Sequence, residues 1–143
     1  MFPLTSADDT PRGDPPGVRI ERVESERGMR DVVGVQETTW GCEFAWLLAA
    51  LSSAIRERPR ETSIYCAYAG DRPVGSGWID FPSRSSFAEL HGGAVPPEFR
   101  GRGIYSRLFR ERREEAARRG IRYLAVDAAP MRRVPPAGPV TAP

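Results

Sequence analysis

The stretch from Phe87 to Ala128 constrains the fold of this chain more than any other part of it. An alternating segment, "SFAELHGGAV", leads into the break "PPEF" and the hexapeptide "RGRGIY", Arg100 to Tyr105. The arginine-rich "IYSRLFRERREEAARR" follows, and then the apolar run "IRYLAVDA". Period-two alternation predicts a strand. Ile104, Leu108, Phe109 and Ala116 recur at helical spacing and predict a helix, with Gly120 as its C′ cap. The continuous apolar run that follows is the pattern of a central parallel strand. Strand, helix and strand in this order imply a right-handed crossover between parallel neighbours, with the glycine hexapeptide at the first strand-to-helix junction.

Upstream, "VRIERVES" reads as a first strand, followed by two helices. The first carries Met29, Val32, Val33 and Gln36 on one face. The second carries Phe44, Leu47, Leu48, Leu51 and Ile55 and stops before Pro59. The period then switches to two in "SIYCAYAG" and "VGSGWIDF", separated by the turn "DRP". The order is β-α-α-β-β-β-α-β, a mixed α/β domain over residues 18–129. Residues 1–17, rich in proline and aspartate, are expected to be a disordered lead-in. Residues 130–143 carry five prolines in fourteen positions and are expected to form no element.

With 143 residues, 40% hydrophobic and 28% charged, the chain has the composition of one globular domain. No apolar run reaches the roughly 20 residues of a membrane helix, and no leader pattern is present. Cys42 and Cys66 lie in apolar surroundings without metal or redox spacing and read as small core residues. A soluble cytoplasmic protein is expected, with no membrane partner. All 21 basic residues are arginine, so any phosphate grip must use guanidinium forks or backbone N–H groups. The net charge of +2 is too small to argue for nucleic acid. The mixed charges of "RLFRERREEAARR" read as a solvated helix face.

At a strand-to-helix junction, Gly101 and Gly103 let the N–H groups of residues 102–106 converge on an anion, with Arg100 and Arg102 adding charge at the rim. A triphosphate loop would need a lysine and a hydroxyl residue where Ile104 and Tyr105 stand. A dinucleotide fingerprint would need glycine at Ser106. The pattern R/Q-x-x-G-x-G/A remains, and "AVPPEFRGRGIYSRLFRERREEAARRGIRYLAVDA" resembles the central motif of the GNAT superfamily of acyl-CoA N-acyltransferases. Tyr105 departs from the family pattern, which has glycine or alanine there. The likeness extends over about residues 18 to 128, since the upstream element order matches as well.

The resemblance implies a three-layer αβα fold with a largely antiparallel sheet and a parallel splay between its fourth and fifth strands. It implies acetyl-CoA or a related acyl-CoA as acyl donor. The pyrophosphate would sit on Arg100, Gly101, Arg102, Gly103, Ile104, Tyr105 and Ser106, and the pantetheine along the main chain of Ala94 and Val95. Gly92-Gly93 suits the bulge that the family places there. The activity implied is direct transfer to a primary amine on a small molecule or peptide, without a covalent enzyme intermediate or a metal. Glu89 is the candidate base and His91 its helper; strict alternation puts both on one face with Gly93. Trp40, Trp46, Trp78 and Phe81 are candidates to line an acceptor cleft or to fill the core.

Many family members use a tyrosine on a later helix as the leaving-group acid. That helix and the last two strands are expected to be missing here, as after a truncation or frameshift, which leaves Tyr105 and Tyr123 as the nearest phenols. A second chain completing the sheet, hence a homodimer, is one consequence. A non-catalytic acyl-CoA-binding module is the alternative to an enzyme.

Overall fold

In a computed structural model, residues 17–126 and the backbone of Arg132–Arg133 are described. The strands are β1 (Val18–Val23), β2 (Thr62–Ala69), β3 (Arg72–Asp80), β4 (Phe87–Ala94), β5 (Tyr123–Val126) and β6 (Arg132–Arg133). The helices are α1 (Glu26–Trp40), α2 (Ala45–Glu57) and α3 (Ile104–Arg118). Spatial order in the single sheet equals chain order, and only β4 and β5 run parallel. The mixed α/β architecture with its parallel β4–β5 pair is the one expected. The two-residue β6 pairs antiparallel with β5, so an element does form within the stretch where proline density argued against any. The other residues of the proline-rich lead-in and tail lie outside the described residues.

Two apolar layers explain why β2 is buried along nearly its whole length. Ile64, Cys66 and Tyr68 point into the cluster made with Met29, Val32 and Val33 of α1 and Leu47 and Leu51 of α2. Tyr65 and Ala67 point the other way, toward Ile104, Leu108, Phe109 and Ala116 of α3. A strand covered on both faces has no polar side, hence its continuous apolar sequence. Of the two cysteines read as core residues, Cys66 is buried and Cys42 is exposed. Cys42 falls just past the αL turn at Gly41 that closes α1, outside both layers.

Local signals set the helix limits. Ser25 caps α1, its Oγ accepting from Gly28 N at 3.0 Å. Gly120 takes φ +78°, and the bonds Gly120 N to Ala117 O and Ile121 N to Ala116 O close α3 in a Schellman motif. The charged face of α3 departs from expectation, because Arg112 and Glu115 are buried in it. Glu115 accepts hydrogen bonds from Ser63 Oγ at 2.8 Å and Tyr65 Oη at 2.5 Å, and pairs with Arg119 at 3.0 Å. Burial, and then the bond to Glu115, raises the Tyr65 phenol well above its ordinary value. Replacing Glu115 by alanine would strand two buried hydroxyls. Glu115→Ala is expected to cost about 2–4 kcal/mol, read as a lower denaturant midpoint at unchanged m, with Glu115→Gln intermediate.

Candidate active site

The register between β3 and β4 breaks at one place. Asp80 faces Glu89, Ile79 faces Leu90 and Trp78 faces His91, but the next pair is Ser76 with Ala94. Two steps along β3 thus match three along β4, and the extra residue forms a bulge at Gly92–Gly93, where the two glycines were expected to allow one. Gly92 takes φ +63°, and a Cβ on it would lie 2.1 Å from the Trp78 ring. The bulge corrects one expectation. Strict alternation put Gly93 on the face of Glu89 and His91, whereas Gly93 faces Tyr105 of α3, whose ring would lie 3.0 Å from an added Cβ.

Both helix layers grip this bulge. Gln36 of α1 donates from Nε2 to Gly92 O at 2.7 Å and to Ser76 Oγ at 3.0 Å, while its Oε1 accepts from Trp40 Nε1 at 3.1 Å. From α3, Arg112 donates through Nη1 to His91 O at 3.2 Å and Trp78 O at 3.3 Å, and through Nε to Leu108 O at 3.1 Å. Gly77 makes room for this guanidinium: a Cβ there would stand 2.8 Å from Arg112 Cζ. Burial pushes the Arg112 pKa down to about 10, which leaves it charged at neutral pH. Among the described residues the parallel β4–β5 ladder runs from Phe87 with Tyr123 to Leu90 with Val126, just before the bulge.

The glycine loop follows the end of β4. Gly101 and Gly103 take φ +80° and +86°, conformations that side chains with a Cβ rarely adopt. No side chain caps α3, and among the described residues the N–H groups of Gly101 to Ser106 donate to no backbone carbonyl. Those free donors and the helix dipole form an anion cradle of the size a pyrophosphate needs. A cleft of about 380 Å³ beside it is lined by eight of the nine predicted cofactor residues: Ala94, Val95, Arg100, Gly101, Gly103, Ile104, Tyr105 and Ser106. Arg102 is the ninth; it turns back to donate to Glu98 O at 3.3 Å and to lie over the Phe99 ring. Arg100 braces the end of β4, its Nε donating to Val95 O at 2.9 Å.

A second cleft, of about 550 Å³, shares Trp40, Gly93 and Tyr105 with the first. Its walls include Trp40, Phe44, Trp46 and Trp78, and Trp40 and Trp46 keep 62% and 65% of their surface exposed. Phe81, the fourth candidate aromatic, lies in the core under the Arg119 guanidinium. His91 lines this cleft and Glu89 does not. Instead Glu89 Oε1 lies 3.7 Å from His91 Nε2, with Asp80 Oδ2 at 3.3 Å. Glu89 and Asp80 are direct cross-strand neighbours, a repulsive pair that the imidazole between them relieves. The three side chains offer ligand atoms within 4.8 Å of one another, where no metal was expected. Of the two surviving phenols, Tyr105 stands where the clefts meet and Tyr123 lines neither.

Sequence reasoning missed Asp80, Gln36 and Arg112. Asp80 becomes visible once the β3–β4 register is known. Arg112 occupies the same four-residue ladder as Ile104, Leu108 and Ala116, which marked it as inward-facing despite its charge.

A family model described as "Acetyltransferase (GNAT) family" matches residues 30–134. Among solved structures, the aminoglycoside N-acetyltransferase AAC(6')-Iy in complex with CoA superposes with a TM-score of 0.65 at 21% identity, covering 84% of this chain and 81% of that one. The ribosomal-protein-S18-alanine N-acetyltransferase from Escherichia coli superposes with a TM-score of 0.63 at 13% identity, covering 76% and 65%. A candidate acetyltransferase from Pyrococcus horikoshii gives 0.64 at 21% identity and covers 76% of this chain, which spans 37% of its length. These likenesses show the fold. No curated protein matches the chain. No helix among the described residues is long and apolar enough to cross a membrane.

Burial raises the Asp80 carboxyl, but the hydrogen bonds from His91 and Thr62 outweigh it and the net pKa is below the ordinary 3.8. A carboxyl depressed in the folded state stabilises above its unfolded pKa, and that contribution is lost as pH falls through the folded value. The stability difference between wild type and Asp80→Asn should therefore shrink as pH falls from about 5 to about 3, measured by urea unfolding across that range.

Proposed function

Because this chain belongs to the GNAT acetyltransferase family, we propose that it moves an acetyl or related acyl group from acyl-CoA directly to a primary amine on a small molecule. The observation that carries the reading is the continuity of the two clefts at Gly93 and Tyr105. An anion cradle opens into one, and a proton acceptor stands in the wall of the other. Acyl-CoA supplies the activated thioester. The residues of this chain hold it, present the amine and move two protons.

The N–H groups from Gly101 to Ser106 hold the pyrophosphate, and the main chain of Ala94 and Val95, in the wall of the same cleft, gives donors and acceptors for the pantetheine. His91 takes the amine proton at the cleft wall. Asp80 and Glu89, behind its Nε2, stabilise the imidazolium that results. The Tyr105 phenol, at the junction of the clefts, returns a proton to the leaving thiolate. Trp40, Trp46 and Trp78 suit an amine with an apolar or aromatic body and hold its arriving ammonium form by cation–π contact. An acceptor of this size agrees with the small-molecule bisubstrate analogue, CoA-S-monomethyl-acetylneamine, carried by a structurally similar aminoglycoside acetyltransferase.

Calorimetric titration with acetyl-CoA is expected to show binding, weakened about tenfold or more in Gly103→Val, because valine cannot take φ +86° without strain. Binding without release of free CoA across a panel of amines would replace the enzyme by a non-catalytic acyl-CoA module. Where turnover is found, His91→Ala should lower kcat by about 100-fold or more, and Glu89→Gln and Asp80→Asn by less. A Glu89→Gln loss as large as that of His91→Ala would instead return the base to Glu89.

A further inference from the structure

Arg112 is the only buried cation among the described residues, with 1% of its surface exposed. Its Nε and Nη1 are occupied by three carbonyl oxygens. Among the described residues no acceptor takes a hydrogen bond from Nη2, and no carboxylate meets the guanidinium. Desolvating such a charge without a counter-ion is costly, and an apolar side chain would pack the same ladder position without that cost. Arg112 also lines the larger cleft, beside His91, Gly93, Tyr105 and Val126. Gly93 and Tyr105 are shared with the cofactor cleft, so this wall borders the space through which the acyl and amine groups would meet.

We propose that Arg112 is the receptor for a carboxylate that a substrate carries into this cleft. The proposal rests on the acyl-transfer reading above and narrows its substrate class. The carboxylate is either the far end of a dicarboxylic acyl chain or part of an amino-acid-like acceptor. In both cases the guanidinium gains the counter-ion that none of the described residues supplies. The apolar walls keep that charge-assisted bond out of water, where it is strongest.

Calorimetry on the intact chain separates the two sources. One pair of probes is succinyl-CoA and butanoyl-CoA, equal in chain length and differing in the terminal carboxylate. The other pair is phenylalanine and its carboxamide. In one pair the carboxylated member is expected to bind about tenfold or more tighter, and that pair names the source. Arg112→Gln should bring the ratio close to one. The ratio is the readout because losing the grip on the bulge alone would weaken both members together. In wild-type protein the slowly exchanging Nε–H resonance of a buried arginine should move with the preferred probe and stay still with its neutral partner, a test that needs no variant to fold. Ratios near one in both pairs, or a preference that survives in Arg112→Gln, would overturn the proposal. If no CoA thioester binds at all, the acyl-transfer reading fails, and the phenylalanine pair still decides whether Arg112 takes a carboxylate.

Discussion

Two consecutive carbonyl oxygens, those of His91 and Gly92, are held by opposite layers of the molecule. Arg112 reaches the first from α3 and Gln36 reaches the second from α1. A bulge leaves main-chain groups without ladder partners, and unpaired buried carbonyls are expensive. Here the side chains that satisfy them belong to the two helices that enclose the sheet. The break in β4 is therefore fixed from both faces, and the rest of the site takes its position from it. His91 stays in register with Trp78, and Gly93 turns toward Tyr105 at the junction of the two clefts.

Charge is distributed unevenly around this point. On the loop side the anion cradle is made of backbone, and Arg100 and Arg102 mostly shape it: one ties down the end of β4 and the other packs on Phe99. Across the bulge, two carboxylates stand behind an imidazole at the cleft wall. Aromatic faces line the same cleft, and an amine bound there as proposed would pass them on its way to the imidazole.

Much of this was legible in the residues. The switch from period two to period 3.6 and back fixed the element order, the glycines after a proline break located the loop, and the bulge came from the family resemblance, which Gly92 and Gly93 suited. What alternation could not supply was the direction of Gly93, because one inserted residue reverses every face after it. Composition also misled at Arg112 and Glu115. Charged residues on a helix are usually solvated, and these two are buried because the sheet beneath supplies partners that are 21 to 52 positions away in sequence. Such partners appear only once strands are paired. Asp80 escaped for the same reason, since its role depends on facing Glu89 across a ladder.

The fit of Arg112 over Gly77 bears on how this sequence can change over generations. A side chain added at position 77 collides with the guanidinium, and a shorter residue at position 112 strands the two carbonyls it holds and leaves a void over the glycine. Either step alone passes through a weakened protein, and apolar residues at both positions would fill the void yet leave the His91 and Trp78 carbonyls without that donor. The two positions are thus locked to each other through one contact.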